Sequence, residues 1–185
     1  LGDVYKRQIV YYGMGLSGKT TNLAHLHHHV IGEDKSEFLS IATEGERTLF
    51  FDYLPVDLGT VRGFRLRMKT YTVPGQSMYS VTRSTVLNGA DGVVMVVDSG
   101  SDNLEENRAS LAELRLSLER QRRKWATFPV VLQYNKRDAP SAIPVEVLER
   151  ELNLRHHPAI EAVASKGVGV FESFSEIARM VVKTL

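Results

Sequence analysis

Gly13-Met14-Gly15-Leu16-Ser17-Gly18-Lys19-Thr20-Thr21 is the stretch on which the reading of the chain turns. It follows an apolar, β-prone run, Ile9-Val10-Tyr11-Tyr12, and leads into Asn22-Leu23-Ala24-His25-Leu26. Strand, glycine-rich loop and helix in that order fit G-x-x-x-x-G-K-[ST], the phosphate-binding P-loop. Glycines, lacking Cβ, let successive backbone N–H groups turn inward on a phosphate at a helix N-terminus. Gly13, Gly15, Leu16, Ser17, Gly18, Lys19, Thr20 and Thr21 are therefore candidate nucleotide-binding residues. Lys19 is placed to reach β- and γ-phosphates, and the Thr20 hydroxyl to ligate Mg²⁺.

The bulk numbers narrow the classes around that loop. A chain of 185 residues is long enough for one sheet-and-helix domain with a full core. Hydrophobic content of 43% and charged content of 24% are ordinary for a globular protein. A formal net charge of +1 supplies no global field for nucleic acid or an anionic membrane. With no cysteine there are no disulfides or thiolate metal sites, and a cytoplasmic protein is the expectation. No apolar run approaches the ~20 residues of a membrane span. The C-terminal Val182-Lys183-Thr184-Leu185 holds no prenylation cysteine, so no direct membrane anchor is expected.

Taken in order, the chain alternates strands and helices. Lys19 to Val30 reads as a helix, with His25 and His29 one turn apart; lacking a third ligand type nearby, they are read as solvated surface histidines. Residues 31–46 read as a loop and Arg47 to Val56 as a strand. Asp57-Leu58-Gly59-Thr60 reads as a turn, and Phe64 to Tyr71 as the second arm of a hairpin, stopped at Pro74. Gln76 to Leu87 is a short helix candidate. Gly92 to Asp98 and Pro129 to Tyr134 are continuous apolar runs, the pattern of strands covered on both faces. Asn103 to Lys124 reads as one long helix whose late basic cluster, Arg120 to Lys124, is a solvated end. Pro144 to Leu152 is a helix and Ala159 to Ala164 the last strand. Val170 to Leu185 closes the chain as a helix with Phe171, Phe174, Ile177 and Val181 on one face. The fold class is α/β, three-layered, with a mostly parallel central sheet and one antiparallel strand.

A P-loop alone serves ATPases, kinases and GTPases. Asn135-Lys136-Arg137-Asp138, at the C-terminal end of a buried strand, points to guanine. The Asp138 carboxylate can accept from guanine's ring N–H and exocyclic amine together, a pair of donors adenine does not present. Asn135 can brace the loop, the Lys136 stem can lie along the base, and Ala164-Ser165 can offer backbone N–H to O6.

These stretches resemble the small Ras-like GTPases, and within them the bacterial MglA family of polarity and gliding-motility switches. The likeness is carried by Val10 to Gly13 with Gly15 to Leu23, Ala42 to Glu44 with Arg47 to Asp52, Tyr71-Thr72-Val73-Pro74-Gly75-Gln76, Asn135 to Asp138 and Glu161 to Ala164. It spans the chain after the first eight residues. Residues 1–8 are read as a remnant or truncated N-terminus and 9–185 as the GTPase domain. The resemblance implies that Thr48 closes on Mg²⁺ and the γ-phosphate, that Gln76 orients the attacking water, that Arg47 is an arginine finger supplied in cis, and that Gly75 belongs to the nucleotide site. It also implies GTP as substrate, GDP as product, unidentified effectors, and a roadblock-type homodimeric activator of the MglB kind. A cytoplasmic protein recruited to a cell pole is implied as well. The competing expectation is a GTP-gated binding module with negligible hydrolysis. Two departures from the usual pattern stand out. Thr72 replaces the aspartate of the Asp-x-x-Gly-Gln turn, which predicts a metal site short of one carboxylate and weaker metal retention. Met14 stands where the family has proline.

Overall fold

Among the described residues, strand β1, Val4–Tyr12, lies at the middle of a seven-stranded sheet, and its neighbours on the two sides come from different parts of the chain. The computed structural model describes residues 4–29, 39–40, 52–75 and 79–185. The order is β2-β3-β4-β1-β5-β6-β7, with β2 Leu39–Ser40, β3 Asp52–Val61, β4 Phe64–Thr72, β5 Gly92–Asp98, β6 Val130–Asn135 and β7 Ala159–Glu161. All pairs are parallel except β2 with β3 and β3 with β4, so β3 alone runs against the sheet, as expected. From β1 the chain departs to one side for β2–β4 and returns to the other for β5–β7. That reversal opens a crevice at the carboxyl end of β1, where an open α/β sheet takes its ligand.

The continuous apolar strands separate two cores, because successive side chains point to opposite faces. Ile9, Tyr11, Val94 and Val96 pack with Leu23 and Leu26 of α1, Lys19–His29, and with Phe174, Ile177 and Val181 of α5, Val170–Val182. Val10, Tyr12, Val93, Met95 and Val97 face the other way. There they meet Leu87 of α2, Ser80–Asn88, Leu114 and Leu118 of α3, Leu104–Arg120, and Leu148 of α4, Val145–Leu152.

A fully paired polar cluster crosses the first of these layers. Asn22 Nδ2 donates to Gln133 Oε1 (2.8 Å), and Gln133 Nε2 donates back to Asn22 Oδ1 (2.9 Å) and to Ser173 Oγ (2.8 Å). Asn22 Nδ2 also reaches the Gly18 carbonyl, and Ser173 Oγ that of Gly169.

Several local expectations need correction. β1 starts at Val4, five residues before the apolar run, its polar first half held by pairing with Arg65 to Lys69 of β4. Asp57 to Thr60 is not the hairpin turn. Asp57 Oδ1 accepts from the Gly59 N–H (2.8 Å) and Gly59 takes φ +70°, which absorbs the turn-forming residues into a bulge inside β3. The turn is Arg62-Gly63, both at positive φ, the backbone that suits a tight hairpin. Within the stretch read as a loop, Leu39–Ser40 pair with β3.

α3 stops at Arg120, four residues short of the expected Lys124. Arg122 turns left-handed at φ +60° and the Arg123 N–H bonds back to the Leu118 carbonyl. Arg123 is then no solvated end: its guanidinium donates to the Leu87, Asn88 and Ala90 carbonyls closing α2 and lies over the Phe128 ring. β7 ends at Glu161, and residues 164–166 form a 3-10 helix instead. Phe171 is 59% exposed; Val170 takes the buried place at the start of α5.

Candidate nucleotide site

The P-loop sits at the crevice the topology creates. It leaves β1 at Gly13 (φ +146°), passes Leu16 (φ +62°) and Gly18 (φ +108°), and enters α1 at Lys19. A Cβ on Gly13 would lie 2.3 Å from the Val96 carbonyl oxygen, so the close approach to β5 requires glycine. Leu16 is 92% exposed at the crest. A left-handed conformation is unfavourable for leucine by about 1–2 kcal/mol, a strain that lets the loop turn its backbone inward.

The Lys19 side chain is buried against the loop it follows. Its Nζ donates to the carbonyls of Gly13 (2.9 Å) and Met14 (2.6 Å). Burial, with the Arg83 charge adding to it and the Asp52 carboxylate opposing both, pulls its pKa down to about 8. Met14 is buried and its side chain belongs to the packed interior. Gly75 abuts the same loop: a Cβ there would stand 2.1 Å from Gly15 N and 2.3 Å from the Met14 carbonyl carbon.

Thr20, Thr72 and Asp52 form one oxygen cluster. Thr20 Oγ1 donates to Asp52 Oδ2 at 2.5 Å, and Thr72 Oγ1 donates to the same oxygen at 2.8 Å. The expected shortage of a carboxylate is thus corrected, because Asp52, at the start of the antiparallel β3, brings one alongside Thr20. Its residue type stood in the sequence, but the contact depends on a cross-strand pairing that no local pattern announces. Hydroxyl and carboxylate oxygens suit a hard divalent cation that keeps waters and leans on substrate phosphates. Among the described residues no group of three or more His, Cys, Asp or Glu forms a metal cage. His25 and His29 accordingly make other contacts: His25 Nε2 meets the Ser165 carbonyl (3.2 Å) and His29 Nδ1 the His25 carbonyl (2.8 Å).

The second half of the site hangs on Asn135. Its Nδ2 donates to the Ser17 carbonyl (2.8 Å), and its Oδ1 accepts from the Ala164 N–H (2.9 Å). One buried side chain thereby ties the P-loop to the loop after β7. The bond also corrects the expectation for Ala164, whose N–H is committed to Asn135 rather than offered to a base. Lys136 takes φ +61° and its Nζ pairs with Asp98 Oδ2 at 2.6 Å. Burial pushes the Asp98 carboxyl up, but Lys136 and the Gly100 N–H outweigh it and hold its pKa below the ordinary value. Asp138 is exposed, with Lys166 Nζ 3.3 Å away, and Ser165, next to Lys166 in the chain, is exposed as well. Thr21 is half-buried on the first turn of α1. Arg47, Thr48 and Gln76 lie outside the described residues.

With this geometry in view, comparison with known proteins is specific. The profile of the ADP-ribosylation factor family matches residues 3–181. The chain is 47% identical over 178 residues to the mutual gliding-motility protein MglA of Myxococcus xanthus, covering 96% of this chain and 91% of that protein. It is 27% identical over 182 residues to mouse ADP-ribosylation factor-like protein 4D, covering 95% and 83% of the two chains. It is 26% identical over 156 residues to the small COPII coat GTPase SAR1 of Giardia intestinalis, covering 83% and 71%. Among the described residues no helix is long and apolar enough to cross a membrane.

Proposed function

We propose, for a chain that belongs to the ADP-ribosylation factor family and is a GTP-hydrolysing molecular switch of the small GTPase class, the following assignment of roles and setting. The switch governs gliding motility, as the name of its Myxococcus relative suggests, and cell polarity, as the resemblance to the MglA family implies. GTP lies across the carboxyl end of β1. Gly13, Gly15, Leu16, Ser17, Gly18, Lys19, Thr20 and Thr21 surround its phosphates, with Gly75 facing the third. The reading rests above all on Asn135, which opens the loop leading to Asp138 and ties it to the P-loop (2.8 Å) and to the loop after β7 (2.9 Å), and so spaces a base site from a phosphate site. Asp138 accepts from the guanine ring N–H and amine, the Lys136 stem covers one face, and Ser165, rather than Ala164, donates its N–H to O6.

Hydrolysis breaks the bond between the γ-phosphorus and the β,γ-bridging oxygen, with water entering opposite to it. Gln76 orients that water, and Arg47 stabilises the charge spreading onto the bridging and γ-oxygens, an effect of about 10³–10⁵ in rate where it operates. Lys19, stripped of bulk water by its burial, exchanges P-loop carbonyls for phosphate oxygens when nucleotide arrives. Bound Mg²⁺ would supply positive charge against the negative charge of the phosphates. The Thr20 hydroxyl and Thr48 would hold it, with Asp52 and Thr72 orienting Thr20. A roadblock-type homodimer, as the MglB-like resemblance implies, would bring Arg47 and Gln76 into place, and effectors would read the triphosphate state. The protein works in the cytoplasm and is recruited to a cell pole.

The test is single-turnover phosphate release from GTP-loaded protein, alone and with a roadblock-type homodimer, alongside GTP and ATP affinities. Preference for GTP and release accelerated by the homodimer are expected. Equal affinity for ATP would remove the base-reading role of Asp138, and an unaltered rate would remove the partner.

A further inference from the structure

Arg83 is a buried charge that the sequence does not announce. It lies on α2, is only 3% exposed, and is held from α3 and from the turn after β4. Nε and Nη2 both donate to Glu113 Oε1 on α3, at 3.0 and 2.6 Å. Nη1 donates to the Pro74 carbonyl at 3.0 Å. That carbonyl belongs to the same planar unit as the N–H of Gly75. In a trans peptide the C=O and N–H point in opposite directions, so a guanidinium holding one fixes the aim of the other. Gly75 in turn is pressed against Gly15 and Met14, where an added Cβ would find backbone atoms at 2.1 and 2.3 Å. Arg83, Glu113 and the P-loop therefore oppose rotation of the Pro74–Gly75 peptide, which would break a part-buried charged hydrogen bond. The Arg83 charge also acts on the Lys19 ammonium, which places it near the phosphate end of the site.

We infer that Arg83, anchored by Glu113, is a positioning residue that sets the Gly75 N–H for the third phosphate, and so makes the site discriminate triphosphate from diphosphate. The inference rests on the proposed placement of Gly75 at the nucleotide. Met in place of Arg83 keeps an apolar stem in the α2–α3 layer and removes both the fork and the charge. A diphosphate has no group for the Gly75 N–H to meet, so only triphosphate binding should suffer.

The experiment compares GDP with a non-hydrolysable GTP analogue, in fluorescent displacement, for the parent chain, Arg83→Met and Glu113→Gln. Arg83→Met should keep GDP affinity within about threefold and weaken the analogue about tenfold, the size of one charge-assisted hydrogen bond. Glu113→Gln, which leaves Arg83 in place but poorly anchored, should shift the same ratio by a smaller factor. Equal loss for both nucleotides, or an unchanged ratio, would overturn the inference and leave Arg83 as a helix-to-helix strut. Should Arg83→Met not fold, the Glu113→Gln ratio decides alone. A parent chain that binds neither nucleotide would instead overturn the nucleotide reading itself, and this inference with it.

Discussion

Asp52 and Thr72 exchange two hydrogen bonds across neighbouring strands. The Asp52 N–H donates to Thr72 Oγ1 at 2.7 Å, and that hydroxyl donates to Asp52 Oδ2 at 2.8 Å. A threonine at the end of β4 thus holds a carboxylate in place where the usual pattern puts the carboxylate itself. The arrangement keeps negative charge beside Thr20 while moving its covalent attachment from β4 to β3.

Asp52→Asn should raise the Mg²⁺ concentration at which bound fluorescent GDP is retained by about 10–100-fold, the usual cost of removing an outer partner of a metal ligand. Adding Thr72→Asp in that background should recover part of the loss by returning a carboxylate to β4. GDP dissociation across a Mg²⁺ titration measures both. An unshifted midpoint in Asp52→Asn would exclude this residue from the metal's surroundings.

Asn135→Ala should lower stability by roughly 2 kcal/mol or more, because the buried Ser17 carbonyl and Ala164 N–H both lose their partner. Chemical denaturation of the nucleotide-free protein reads this directly. GDP should bind more weakly as well, since the two halves of the site are no longer spaced. A stability within about 0.5 kcal/mol of the parent, the usual scatter of surface substitutions, would contradict the bridge.

Gly75→Ala and Gly15→Ala should part company. The first puts a Cβ on backbone atoms near 2 Å and must push the turn off the P-loop, at about 1–3 kcal/mol. The second adds a methyl where nothing lies within 4 Å, and the nucleotide-free fold should not notice it. Urea midpoints of the two variants give the comparison; equal midpoints would mean that the close approach of Gly75 is not part of the fold.

Stability should fall as the pH drops from 7 toward 5, in part through His157. Burial, reinforced by the Arg155 charge, holds the His157 pKa below the ordinary value. Below about 6.5 the unfolded chain binds a proton that the folded chain does not, so acid favours unfolding; above that pH both forms are neutral and the effect vanishes. The window closes once the pH falls under the lowered folded value. His157→Gln should flatten this part of the profile in denaturant midpoints taken at pH 5, 6 and 7. An equally steep profile in the variant would assign the slope to other groups.

What could be read from residues alone was whatever depends on short-range pattern. The apolar runs of β5 and β6, the P-loop and the loop after β6 carry their signals within a few residues. Errors came where two local signals competed or where a partner was distant. Asp57 and Gly59 are strong turn formers, and only pairing with β4 shows that they make a bulge before the true turn at Arg62-Gly63. α3 ends at a left-handed arginine with no glycine to mark it. Ala164 and Ser165 looked equivalent until Asn135, 29 positions earlier, claimed one of the two N–H groups. Asp52 lies in a stretch that carries the family likeness, yet its role is not legible there because it comes from the threonines it meets.

The paired amides of Asn22 and Gln133 lie buried behind the P-loop. An amide pair that both gives and receives has one orientation, like a key cut on both edges. If α1 turned by a single residue, about 100°, every one of those bonds would be lost at once in a dry interior. The helix that carries Lys19 and Thr20 is therefore indexed from its rear, through β6 and Ser173 to α5. Phosphate chemistry at the front of the molecule inherits its alignment from an uncharged lock at the back.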